Sequence, residues 1–171
     1  MDFSKLTIGE DAPKVVNVVI EIPFGSSVKY EVDKDTGLLF VDRFNFTAMF
    51  FPFNYGYIPA TKGEDGDPLD ILVLSSFPVN AGSVIKSRPV GMLEMEDESG
   101  IDTKIIAVPV EKVDPFYSHI KDIKDIPEAI LNRIKHFFDH YKELEAEKWV
   151  KTKEFQSANI AYDEINRSTI K

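Results

Sequence analysis

The chain has 171 residues, 43% of them hydrophobic and 29% charged, a balance that excludes a disordered polymer and suits one domain, 1–171, with a core of its own. Its formal net charge of −9 disfavours nonspecific contact with nucleic acid or an anionic membrane, and the lack of cysteine excludes disulfides, zinc–thiolate sites and a thiol nucleophile. The N-terminus has no basic region followed by an apolar stretch and no apolar run approaches the ~18 residues of a membrane span, so a cytoplasmic protein is expected.

Residues 15–22 read as a strand, with Val16, Val18, Ile20 and Ile22 on one face and Asn17, Val19 and Glu21 on the other. Pro23 ends it. A second strand follows at 28–32, where Lys29 and Glu31 look the same way, and 33–37 form a hairpin turn that returns the chain through 38–43, with Arg43 at its end. From 44 to 59 the chain is unusually aromatic, interrupted by Pro52, Gly56 and Pro59, and most of these rings are expected in the core. Tyr55 and Tyr57 differ from their phenylalanine neighbours because a buried hydroxyl needs a partner and can donate to a phosphate oxygen.

The run Asp65-Gly66-Asp67-Pro68-Leu69-Asp70 places three carboxylates within six residues. Gly66 permits a tight backbone and Pro68 fixes φ, so like charges are held close together. That arrangement costs free energy unless a cation sits among them, and hard divalent ions such as Mg²⁺ take oxygen ligands of this kind. A solvated acidic turn is the plain alternative. A calcium loop of EF-hand type is not, because Ser76 stands where its bidentate Glu belongs and Asp70 where its glycine belongs.

A strand at 70–74 and a long alternating stretch from 83 to 95 come next, followed by an acidic loop cluster of Glu94, Glu96, Asp97 and Glu98. Asp102 and Lys104 then share a face at the entrance to a strand at 104–110. The last third reads as helical: Pro127 suits a first helical position, and Ile130, Ile134, Phe137, Tyr141 and Leu144 recur at spacings of three and four. Tyr141 and Lys142 close this helix, and a second amphipathic stretch runs through Phe155, Ala158, Tyr162, Ile165 and Thr169. His136 and His140 are four apart without the neighbouring Glu of a zinc protease, which favours a surface or subunit contact.

The acidic run resembles the signature of the soluble family I inorganic pyrophosphatases. The likeness extends through Ile20-Glu21-Ile22-Pro23, Lys29-Tyr30-Glu31, Val41-Asp42-Arg43-Phe44, Asn54-Tyr55-Gly56-Tyr57, Arg88-Pro89-Val90-Gly91 and the segment His136 to Lys142, nearly the whole chain, at the length of the short bacterial form. The resemblance implies a mainly β fold, a small closed OB-like barrel with flanking helices in the C-terminal third. It implies Mg²⁺ ions on Asp65, Asp70, Asp97 and Asp102, with Glu21 and Glu31 lining the same cavity, and Asp67 as general base. Lys29, Arg43, Tyr55, Lys104, Tyr141 and Lys142 are its phosphate contacts, pyrophosphate is the substrate, and a homohexamer is the expected assembly. Phe51 stands where many members have tyrosine, which removes one hydroxyl. Two rival functions remain at this level. One is a Mg²⁺-dependent hydrolase of nucleotides or polyphosphate; the other is an OB-type oligonucleotide-binding module, which the acidic balance opposes.

Overall fold

A computed structural model describes residues 3, 5–33 and 36–170. Among these described residues nine strands and two α-helices follow one another as β1 (Val16–Ile22), β2 (Val28–Val32), β3 (Leu39–Phe44), β4 (Asn54–Tyr57), β5 (Asp70–Val73), β6 (Val84–Asp97), β7 (Gly100–Ile101), β8 (Lys104–Pro109), α1 (Glu128–His140), β9 (Val150–Ser157) and α2 (Ala158–Ser168). Among the described residues no helix is long and apolar enough to cross a membrane.

The strand order is β1-β4-β5-β8-β6-β7, and β6 is long enough to pair β9 and β1 as well. The ladder therefore returns to the strand from which it set out. All the pairs are antiparallel except β5 with β8, where Asp70 lies opposite Lys104 and Val73 opposite Ala107. A parallel pair of this kind is buried on both faces, which is why Ile71-Leu72-Val73 and Ile105-Ile106-Ala107-Val108 read as unbroken apolar runs. Their side chains still alternate. Leu72, Ile106 and Val108 join a cluster with Phe51, Phe137 and Phe138, to which α1 contributes, while Ile71, Val73, Ile105 and Ala107 join a second cluster that α2 completes with Ala161 and Ile165.

β2 and β3 form a separate antiparallel ribbon with Lys29 opposite Arg43. The turn expected at 33–37 is present in its described part, where the Gly37 N–H donates to Asp33 O at 2.8 Å; Lys34 and Asp35 lie outside the described residues.

Four sequence expectations need correction. Phe155 lies on β9 and not on a helix, because the stretch 150–157 serves as an edge strand whose Lys151, Lys153 and Glu154 face solvent and mask its alternation. The first helix stops at His140, so Leu144 sits in the following turn and is 63% exposed. Glu94, Glu96 and Asp97 belong to β6, not to a loop, since β7 pairs back onto the strand's end. The aromatic segment divides: Phe51, Phe53 and Tyr55 are buried, whereas Phe44, Phe46 and Phe50 are 66%, 61% and 59% exposed.

Gly56 has a steric reason to be glycine. A Cβ there would lie 1.9 Å from the carbonyl oxygen of Val19 on the paired strand β1. Gly56→Ala is expected to lower stability by about 3 kcal/mol or more, since backbone on both sides leaves nothing to yield; a urea unfolding midpoint equal to the parent's would contradict this.

Candidate active site

One cleft of about 1400 Å³ gathers side chains from segments far apart in sequence. Every site residue expected from the sequence lines it: Lys29, Arg43, Tyr55, Asp65, Asp67, Asp70, Asp97, Asp102, Lys104, Tyr141 and Lys142, together with Glu21, Glu31 and Tyr57. Among the described residues nine acidic side chains line the cleft with five basic ones, so it carries excess negative charge.

The loop 62–68 presents Asp65 and Asp67 at its exposed tip. Gly66 adopts φ +92°, a left-handed conformation that glycine tolerates, and the Asp65 carboxylate accepts the Asp67 N–H at 2.9 Å. Asp70 follows at the start of β5. Its register partner Lys104 is 2% exposed and donates to Asp70 Oδ2 at 2.5 Å and to the Asp102 carboxylate, with Nζ 5.8 Å from the centroid of the Tyr55 ring. Burial alone would drive the lysine neutral, but Asp70 and Asp102 outweigh it and hold the ammonium above its ordinary pKa. Burial also raises Asp102, against the pull of Lys104.

In the same cleft Lys142 donates to Asp97 Oδ2 at 2.8 Å. Burial pushes the Asp97 carboxyl up, yet this bond and the Ser99 N–H prevail and leave it below its usual range. Tyr55 and Tyr141 are buried, and burial first, then the nearby carboxylates, raises both phenols; a donating hydroxyl is their form at neutral pH. Phe51 has no hydroxyl to offer and instead packs 5.3 Å from Tyr55 and 4.7 Å from Phe137, centroid to centroid.

The β2–β3 ribbon also lines the cleft. Lys29 pairs with Glu31 and lies 3.5 Å from Asp42, and Arg43 Nε donates to Glu145 Oε1 at 3.1 Å. Glu21 reaches from β1 to accept the Val32 N–H at 2.8 Å, anchoring the ribbon. Its carboxyl is raised to about 8, chiefly by burial and further by Asp70 and Glu31. His136 and His140 lie elsewhere, with rings 4.5 Å apart on α1 and His140 Nδ1 2.9 Å from Glu143.

Sequence reasoning missed Asp42, Glu145 and Lys148 as members of this charge network. Glu145 meets Arg43 across 102 positions, a contact with no local signal, and Lys148 pairs with Glu98 from a turn that reads as plain polar surface.

Among the described residues no three His, Cys, Asp or Glu side chains stand close enough to ligate one ion; ammonium groups occupy the positions between the carboxylates. The donors are nonetheless all oxygen, and a carboxyl held at about 8 by burial and by other carboxylates marks a place where added positive charge is stabilising. The set fits a hard divalent cation.

A family model described as inorganic pyrophosphatase matches residues 18–171. The chain belongs to the inorganic pyrophosphatase family. An inorganic pyrophosphatase of Aquifex pyrophilus is 59% identical over 167 residues, spanning 98% of this chain and 94% of that one. Among solved structures, the inorganic pyrophosphatase of Helicobacter pylori superposes with a TM-score of 0.93 at 50% identity, covering 96% of each chain. That of Thermus thermophilus does so with 0.94 at 46% identity, covering 98% of this chain and 97% of its own. The mainly β sheet with its two helices is thus the architecture of this family.

Glu21 generates a test of the electrostatics. Its folded pKa lies above the usual 4.5, so its contribution to stability is full below pH 4.5 and is lost as pH rises through about 8. Without divalent cations, Glu21→Gln should flatten the fall in unfolding free energy between pH 5 and pH 8.5 by roughly 2 to 4 kcal/mol. Urea titrations with a chelator present check it, and parallel pH profiles for parent and variant would refute it.

Proposed function

We propose that the chain is a cytoplasmic, Mg²⁺-dependent inorganic diphosphatase that hydrolyses pyrophosphate to two orthophosphates. The observation that carries this reading is the convergence of five aspartates with Lys29, Arg43, Lys104 and Lys142 on one cleft, in a chain whose family takes its name from that reaction. Residues 1–171 are read as one domain, and the pairing of β1 with both β4 and β6 supports reading the sheet as a small closed OB-like barrel.

In this reading Asp65, Asp70, Asp97 and Asp102 would hold the Mg²⁺ ions, with Glu21 and Glu31 lining the same cavity. Bound there, the ions supply two things, a lowered pKa for the attacking water and neutralisation of phosphate charge. Asp67, at the tip of the loop and beside Asp65, takes the proton of that water as general base. Lys29 and Arg43, opposite one another on the ribbon, grip the phosphate from one side, while Lys104, Lys142 and the hydroxyls of Tyr55 and Tyr141 donate from the other. The steps require positioning and charge, with no covalent enzyme intermediate.

Phosphate release tests the reading directly. Pyrophosphate with Mg²⁺ should give turnover that a chelator abolishes, with ATP a poor substitute; equal rates on ATP would favour a nucleotide hydrolase. Asp67→Asn should keep the fold and most cation binding while reducing kcat by about 10²- to 10⁴-fold, the range for loss of a general base. Turnover at the parent rate would remove Asp67 from that role.

The assembly read for the chain is a homohexamer, with the neighbouring His136 and His140 at a subunit contact. Protonating both rings would set like charges 4.5 Å apart, so the assembly should dissociate in acid. Sedimentation at neutral pH giving a monomer would reject this.

A further inference from the structure

A single buried hydroxyl spans the mouth of the acidic loop. The last backbone rung between the strands that flank it is the Ile58 N–H to Leu69 O bond at 2.9 Å, and beyond it the Leu69 N–H has no carbonyl opposite. Thr61 supplies the acceptor. Its Oγ1 accepts the Leu69 N–H at 2.9 Å and donates to Ile58 O at 2.6 Å, so one side chain, 3% exposed, joins the residue before β5 to the residue after β4. The loop it closes is stiffened inside by Gly63 N–H to Asp67 O at 2.7 Å and Gly66 N–H to Gly63 O at 3.1 Å.

The same short segment is gripped from outside by the end of the chain. Lys62 N–H donates to Ser168 O at 2.7 Å and Ile170 N–H to Ala60 O at 2.9 Å, with Thr61 and Thr169 opposite each other in an antiparallel bridge. α2 stands on the hydrophobic core through Ala161 and Ile165, so this grip refers the position of residues 60–62 to the body of the protein. Two anchors thus meet at Thr61, one fixing where the loop starts and one fixing how wide it opens.

We propose that Thr61 is a positioning residue: its hydroxyl sets the conformation of the loop 62–68 and so places Asp65 and Asp67 relative to Asp70. The proposal rests on the pyrophosphatase reading of those aspartates. It predicts that losing the hydroxyl, with shape kept, weakens cation binding and turnover more than it weakens substrate binding. The phosphate-gripping residues stand on other elements and do not move with the loop.

Thr61→Val, Thr61→Ser and the parent are compared by calorimetric titration with Mn²⁺, by steady-state kinetics on pyrophosphate and by circular dichroism. Thr61→Val is expected to lose about 10- to 100-fold in Mn²⁺ affinity and in kcat, as for partners that orient ligands from behind, with KM at saturating divalent cation changed less than about threefold. Thr61→Ser, which keeps the hydroxyl, should recover both to within about threefold. A folded Thr61→Val with Mn²⁺ affinity and kcat within twofold of the parent would overturn the proposal, as would a Thr61→Ser variant impaired as badly as the valine. Should the valine variant fail to fold, Thr61→Cys takes its place, since a thiol is a poor substitute in both bonds; parent-like Mn²⁺ affinity there would be equally fatal. A parent that binds Mn²⁺ yet leaves pyrophosphate intact would sink the functional reading, and the calorimetric comparison would still decide whether Thr61 positions the loop.

Discussion

An ammonium buried between two carboxylates fixes the centre of this molecule. Lys104 is 2% exposed, and an isolated charge there would be prohibitively costly; Asp70, opposite it across the β5–β8 ladder, and Asp102, two residues before it, make the site tolerable. The register of the parallel pair is tied to this triad. A slip of one residue would turn Lys104 toward the apolar cluster of Ile71, Val73, Ile105 and Ala107 and leave Asp70 with no counter-charge. The hydrophobic alternation and the electrostatics therefore select the same pairing.

Around that centre the cleft is assembled from parts with different kinds of support. Tyr55, Lys104 and Tyr141 stand on the core, locked by Phe51, Phe137 and Phe138. The β2–β3 ribbon does not. Its residues are half-buried or exposed, and it is held over the cleft by the Glu21 bond to Val32, the Arg43–Glu145 pair and backbone bonds such as Phe51 N–H to Ser26 O. The ribbon's place thus depends on charged groups that themselves face the cleft, which couples what the cleft holds to where Lys29 and Arg43 sit.

Much of this was legible in the sequence, and the rest was not, for physical reasons. The acidic run, Lys104 two residues after Asp102, and Lys29 and Glu31 on one strand face could be read because turn chemistry and a period of two are local rules, whereas the register that sets Lys29 opposite Arg43 could not. β9 was lost because an edge strand carrying Lys151, Lys153 and Glu154 has one wet face and little apolar contrast. The run 44–59 was expected to be mostly core because aromatic composition does not say which rings turn inward, and Phe44, Phe46 and Phe50 are exposed. Glu145 and Thr61 act through contacts set by the tertiary fold, where a polar residue in a connecting segment looks like any other.

The two salt-bridged lysines give the cleft its logic. Lys104 and Lys142 are already engaged, the first by Asp70 and Asp102 and the second by Asp97, so neither is at liberty to grip an anion while those carboxylates lack another counter-charge. With nine acidic residues against five basic ones, a strongly charged anion entering alone would meet net repulsion at close range. In the proposed reading Lys104 and Lys142 would reach a phosphate oxygen only once their aspartates are satisfied by something else, and a divalent cation carries enough charge to do so and to attract the anion as well. On that reading the charge balance alone would set the order, cation before anion, before any chemistry at the phosphorus atom.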